Sequence, residues 1–296
     1  MKRYDYFSPK TVSEALDILE NANNDTHIIA GGTDIVLDIN KGRIEPDEIV
    51  NINKLQELKY VKCEDGLIKL GSTMTFSEIE SDELLNKKAK VLVVACREIG
   101  STQIRNLGTV GGNVVNSSSA ADSVAALIAL DASVVLKSKN EERTMKLIDF
   151  YDNGKSKIRK NELLTEIFFD EPNQNTATAF TKLGRRKALA IVVMSMGALL
   201  EKDESNICTK AQFVLGAVSR HPSRLYEIEN QIIGQEINRD NLYELIDNMS
   251  TTIYKTIVEG SPGSLRRLNS AKYKSKSIKG IAKTTFESIL SDLEIK

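Results

Sequence analysis

Tryptophan is missing from this chain of 296 residues, and histidine, cysteine and proline are scarce, with two, three and five copies. Each shortage removes a class of function. With no tryptophan and only 5% aromatic residues, an aromatic platform for stacking bases has little to be built from. Cys63, Cys96 and Cys208 lie far apart, whereas a thiolate-held iron–sulfur cluster needs four ligands at close spacings. His27 and His221 add little towards a zinc site. The cysteines are therefore read as packing or surface residues. A chain so equipped handles electrons only through an organic cofactor.

An excess of one charge is lacking too. The 40 basic and 41 acidic residues give a formal net charge of −1, which supplies no field for nucleic acid or an anionic membrane. The start, Met1-Lys2-Arg3-Tyr4-Asp5-Tyr6-Phe7, has no apolar segment of the secretory kind. No apolar run approaches the roughly 20 residues that cross a bilayer. The expected compartment is the cytoplasm, with neither nucleic acid nor membrane as partner. The length accommodates two domains.

Glycine is where the chain becomes informative. Gly31-Gly32 stands in His27-Ile28-Ile29-Ala30-Gly31-Gly32-Thr33-Asp34-Ile35, and Gly111-Gly112 in Arg105-Asn106-Leu107-Gly108-Thr109-Val110-Gly111-Gly112-Asn113. Paired glycines permit positive φ and let a ligand approach the main chain. Successive amides in such a turn make a nest for anionic oxygens. Two turns gripping one diphosphate from both sides point to a dinucleotide. Neither turn is G-x-G-x-x-G or a Walker A loop, which argues against nicotinamide bound in the usual βαβ way and against triphosphate hydrolysis.

The neighbours carry matching chemistry. Thr33 and Thr109 have hydroxyls to donate to phosphate, and Asn113 donates and accepts. Asp122 would repel phosphate but suits ribose or ribityl hydroxyls. Its equal alternative is a carboxylate at a helix start. For Asp34 the carboxylate is assigned to a helix cap and the amide to the ligand. Lys182 reads as solvated on a strand, Arg185-Arg186-Lys187 as a surface turn, and His221, before Pro222, as a loop residue without a catalytic partner.

The patterning predicts α+β architecture in two domains, residues 1–172 and 173–296. A helix capped by a Thr11–Glu14 box leads to strands at 27–30 and 48–52, with a helical turn from Ile35. Residues 58–62 and 67–70 form a hairpin about Asp65-Gly66. Thr75 and Glu78 start a second capped helix, a longer one occupies 87–99, and an alanine-rich one occupies 120–130. Strands follow at 133–136 and 163–169, and Asp170-Glu171-Pro172-Asn173 marks the boundary. Beyond it, strands at 177–183, 192–200 and 211–218 precede helices at 224–233, 239–259 and 278–293, a sheet followed by helices.

Ile28–Ile35 as I-I-A-G-G-T-D-I, and R-N-L-G-T-V-G-G-N with Asp122 nine positions on, resemble the flavin subunits of molybdenum hydroxylases. These are the FAD-binding subunits of xanthine dehydrogenase and nicotinate dehydrogenase and the medium subunit of carbon monoxide dehydrogenase. The resemblance spans essentially the whole chain. It implies a vanillyl-alcohol-oxidase-like (PCMH-type) FAD-binding domain, then a smaller C-terminal domain of antiparallel sheet and three helices, of the carbon monoxide dehydrogenase flavoprotein type. It implies FAD contacts from Ile28, Ile29, Ala30, Gly31, Gly32, Thr33, Asp34 and Ile35. Thr109, Val110, Gly111, Gly112 and Asn113 would face them, Asp122 would meet the ribityl or ribose hydroxyls, and Ile99, Leu164 and Lys182 would add contacts.

The resemblance also implies partners. A molybdopterin-binding subunit and a [2Fe–2S] subunit would deliver electrons to FAD, which passes them to NAD+ or another acceptor. The benzoyl-CoA reductase-like relatives carry an extra cluster in a cysteine-rich insertion, and this chain has none. The leading expectation is the electron-output subunit of a xanthine dehydrogenase-like complex, with no catalytic acid, base, nucleophile or metal of its own. The flavin subunit of nicotinate or carbon monoxide dehydrogenase is the near alternative. A stand-alone flavin oxidoreductase and a scaffold with vestigial glycine turns are the more distant ones.

Overall fold

The computed structural model describes residues 3–23, 25–186, 192–260 and 265–295. Met1, Lys2 and the Lys187 of the basic cluster lie outside them. The chain opens with strand β1 (Asp5–Phe7) and helix α1 (Val12–Glu20). The Thr11 hydroxyl accepts the Glu14 amide at 3.1 Å, but the Glu14 carboxylate takes the amide of Lys10, not of Thr11, so the expected box is half formed. Strands β2 (Thr26–Ile29) and β3 (Glu48–Asn51) flank helix α2 (Ile35–Asn40). The three strands pair in parallel, in the order β1-β3-β2. Ala15, Leu16 and Leu19 of α1 join Val50, Ile52 and Leu163 in the core of this unit.

A larger antiparallel sheet follows. Strands β4 (Val61–Glu64) and β5 (Leu67–Gly71) meet at Asp65-Gly66, whose φ of 54° and 73° are those of the two-residue turn that hairpins favour. Leu58, expected to begin β4, is instead buried in a 3₁₀ turn. Strands β6 (Ser133–Lys137), β7 (Glu142–Lys146) and β10 (Leu163–Asp170) complete the order β4-β5-β10-β6-β7. β8 (Tyr151–Asp152) and β9 (Lys155–Ser156) form a small hairpin between them. The edge strand β7 escapes sequence reading because Glu142-Arg143-Thr144-Met145-Lys146 lacks an apolar alternation.

The helices between β5 and β6 are shorter than their periodicity suggests. Thr75 and Glu78 do close a capping box on α3 (Phe76–Ser81). The single helix expected at 87–99 is broken at Ala89 (φ −135°, ψ 50°) into α4 (Glu83–Lys88) and α5 (Lys90–Arg97). After α6 (Thr102–Arg105), the second glycine pair lies inside helix α7 (Val110–Asn116), with Thr109 as its cap. It is not a turn. The alanine-rich helix is α8 (Asp122–Ala129), all of whose residues are buried.

The C-terminal sheet runs β11 (Thr176–Gly184), β12 (Val192–Lys202), β13 (Cys208–Gly216) and β14 (Ser223–Arg224), in that order and antiparallel. Helices α9 (Tyr226–Ile232), α10 (Arg239–Glu259) and α11 (Leu265–Asp292) follow. Met194, Met196, Ala198 and Leu200 of β12 pack with α10 and α11, while Leu199 on the other face joins the core of α5 and α8. The sheet is covered on both faces, which is why β12 reads as a continuous apolar run. α11 begins well before residue 278 because the polar stretch ahead of it still buries Ala271 and Ser275. No helix among the described residues is long and apolar enough to cross a membrane.

Candidate cofactor site

The two glycine segments, 80 positions apart in the chain, touch. A Cβ on Gly31 would overlap the carbonyl oxygen of Leu107, and one on Gly108 would lie 2.8 Å from the Phe76 ring. A Cβ on Gly111 would meet Ser72 Cβ and O at 2.6 Å. Of the glycines in these two segments, only Gly32, at φ 73°, needs the left-handed region. Gly31, Gly108 and Gly111 therefore serve close packing, not the expected positive φ.

Where the segments meet, they line a cleft of about 570 Å³, within the usual range of roughly 300–1,000 Å³ for ligand sites. Ile28, residues 30–35, Thr109, Gly111, Gly112, Asn113 and Leu164 all face it. Unforeseen in the sequence are Phe76, Val115, Asn116, Ile52 and the stretch 158–160 with Glu162 and Leu163. The last group had a signal: Arg159-Lys160-Asn161-Glu162 is a polar quartet, three of its members charged, just ahead of an apolar strand.

The two corners differ in what they offer. At the first, among the described residues, the amides of Gly32, Thr33 and Asp34 donate to no protein acceptor. Three successive amides without a protein acceptor are the kind of donors that an anionic ligand requires. At the second, Val110 N–H donates to Met74 O and Gly111 N–H to Ser72 O. Gly112 N–H donates to Thr109 Oγ1 (3.2 Å) and Asn113 N–H to Thr109 O. A clamp of main-chain amides from both corners is thus corrected to unpaired amides on one side and side chains on the other. Ser123 Oγ donates to Asn113 Oδ1 at 2.7 Å, which leaves the Asn113 amide nitrogen to donate. Asp34 does not cap α2 with its carboxylate, which instead accepts from the Thr33 hydroxyl at 3.3 Å.

Five of the expected contacts do not line the cleft. Val110 is fully buried, Ile29 lies beneath Gly32, and Ile99 packs on the main core. Asp122 and Lys182 form a buried pair at 2.6 Å, with side chains 4% and 6% exposed. Lys182 also donates to Glu98 O at 2.7 Å, so the solvated reading of this lysine is wrong. Asp122 does sit in the first turn of α8, yet its carboxylate is taken by Lys182 and its Oδ1 has no partner. Burial pushes the Asp122 carboxyl up to about 6 in spite of the lysine. His221 stacks on Tyr151 at 5.6 Å, and burial lowers its pKa, in keeping with a loop role.

The cleft wall holds a second buried carboxylate. Glu162, 2% exposed, accepts Arg143 Nε at 2.6 Å, Arg143 Nη2 at 2.8 Å and the Arg159 amide at 2.8 Å. Burial raises its pKa, but the guanidinium and amide outweigh that and hold it below the ordinary carboxylate range. Among the described residues no group of histidine, cysteine and carboxylate side chains could hold a metal ion.

A cleft of this size, with unpaired amides and apolar walls, has the chemistry that a nucleotide cofactor requires. The family model described as the FAD binding domain in molybdopterin dehydrogenase matches residues 2–171, and that of the CO dehydrogenase flavoprotein C-terminal domain matches 178–283. The nicotinate dehydrogenase FAD-subunit of Eubacterium barkeri is 37% identical, over 99% of this chain and 98% of its own. The glyceraldehyde dehydrogenase medium chain of Sulfolobus acidocaldarius is 30% identical over 84% and 88%. Carbon monoxide dehydrogenase from Hydrogenophaga pseudoflava shares the fold, with a TM-score of 0.87, 21% identity and 98% of each chain covered.

The chain belongs to the FAD-binding subunits of the molybdenum hydroxylase-type dehydrogenases, and FAD is its cofactor. The donor set fits that molecule, with unpaired amides for a diphosphate and an apolar wall of Ile28, Ile52, Leu163 and Leu164 for its rings.

Proposed function

We propose that this protein is the electron-output subunit of a heteromeric complex, receiving electrons from the [2Fe–2S] clusters of one partner and, through them, from a molybdopterin-binding partner. NAD+ is the proposed final acceptor. Bound FAD supplies the redox chemistry, exchanging electrons singly on one side and in pairs on the other. The chain's own residues bind and orient. The amides of Gly32, Thr33 and Asp34 hold the diphosphate, Asn113 donates from the opposite wall, and Leu163 and Leu164 keep water from the rings. The observation that carries this reading is the unpaired run of amides at the point where the two glycine segments touch.

The Asp122–Lys182 pair, lying outside the cleft wall, would act on the cofactor only if its lysine or carboxylate swings inward. Nicotinate, rather than xanthine, is the substrate we propose for the assembly. The 37% identity to a nicotinate dehydrogenase FAD-subunit over nearly the full length favours it. That pocket belongs to another subunit.

The test is purification of the chain with and without its partners. A yellow protein whose flavin is reduced by NADH, with nicotinate hydroxylation only in the complete assembly, supports the proposal. Flavin that NADH leaves oxidised removes NAD+ from it.

A further inference from the structure

The FAD reading leaves one matter open: what balances the charge of the diphosphate. The carboxylates facing the cleft are Asp34, Asp38 and Glu162, and the full cations are Arg159 and Lys160. Most of these are already spent. Asp38 pairs with Arg43 at 2.9 Å, Glu162 with Arg143, and Arg159 with Glu141 at 2.7 Å. What is left facing the cleft without a counter-ion among the described residues is Asp34, which repels an anion, and Lys160, which attracts one.

Lys160 is also held in place. Glu162 N–H donates to Arg159 O at 3.1 Å, and the Glu162 carboxylate takes the Arg159 amide, closing a tight turn around Lys160. Arg143 Nη2 ties the preceding Lys157 carbonyl to the same fork at 2.8 Å. The backbone of the turn is fixed while the Lys160 side chain stays exposed at the cleft.

Resting on the FAD reading above, we propose that Lys160 is the cationic contact of the FAD diphosphate, presented by a turn that the Arg143–Glu162 fork makes rigid. Amides carry only partial charges, and a full charge on the wall of the same cleft adds attraction for a doubly anionic group that salt screens.

The experiment measures the FAD dissociation constant of the full chain and its Lys160→Ala and Lys160→Arg variants at roughly 0.01 M and roughly 0.15 M salt. Riboflavin, which has no phosphate, is the control ligand. Lys160→Ala should weaken FAD binding about tenfold at low salt and less at high salt, as for a charge-assisted contact. Lys160→Arg should stay near wild type, and riboflavin affinity should not change. Wild-type FAD affinity and salt dependence in Lys160→Ala overturn the proposal. So does an equal loss of riboflavin, or an unchanged affinity with a shifted flavin potential, which would put the lysine at the ring. If the wild-type chain itself takes up no FAD, the cofactor reading fails, and that arm is read first.

Discussion

Gly31 stands so close to Leu107 that a single added methyl group would overlap the Leu107 carbonyl oxygen. The contact joins the loop after β2 to the loop after α6, and with them the two walls of the cofactor cleft. The obstacle is backbone, which cannot rotate aside as a side chain can.

Gly31→Ala is therefore expected to part the two walls. Overpacking of this kind costs about 1–3 kcal/mol. FAD content of the purified variant should fall well below wild type, while far-ultraviolet circular dichroism stays close to it. Full flavin content in Gly31→Ala would mean that the loops yield without disturbing the site.

Gly111 meets Ser72 in the same way, since an added Cβ would lie 2.6 Å from the Ser72 Cβ and carbonyl oxygen. Gly111→Val should abolish FAD retention and lower the unfolding temperature of the N-terminal domain. The C-terminal core, built from β11–β13 and α9–α11, should still unfold cooperatively. Calorimetry reports both transitions, and a single unshifted one would contradict the expectation.

Thr109 has a measurable cap role. Its hydroxyl accepts the Gly112 amide at 3.2 Å at the start of α7. Thr109→Ala should destabilise by about 1 kcal/mol in urea unfolding, whereas Thr109→Ser should keep most of that. FAD affinity that follows the same order ties the cap to the cleft wall.

Asp122 and Lys182 give a pH signature. The folded carboxyl titrates at about 6 because burial raises it from 3.8 despite Lys182. A raised acid pKa means the folded state holds the proton more tightly than the unfolded chain. Its favourable contribution is complete below the unfolded value and is lost as pH climbs through about 6. Asp122→Asn should remove this slope, so that wild type loses stability relative to the variant between about pH 4 and pH 6.5. Lys182→Met strands the buried carboxylate and should cost about 3–5 kcal/mol at pH 7. Adding Asp122→Asn should recover most of that loss. Urea denaturation of the four proteins checks the cycle, and additive losses would show that the pair is not coupled.

Much of the fold was legible wherever a local rule acts alone. The Asp65-Gly66 hairpin and the Thr75–Glu78 box arise from neighbours in sequence, and α10 matches its periodicity from Arg239 to Glu259. The site was legible as a set of segments but not as geometry. The glycine pairs were read for positive φ, yet at Gly31 and Gly111 the constraint comes from backbone far along the chain. Lys182 meets Asp122 across 60 positions and two domains, which no periodicity reveals. Asn113 does line the cleft, while the amides around it are used within the fold.

The central claim is settled most directly by a crystal structure of the chain with FAD bound. Diphosphate oxygens are expected within about 3 Å of the amides of Gly32, Thr33 and Asp34, with Asn113 opposite. A diphosphate lodged elsewhere, with those three amides facing only water, would contradict it.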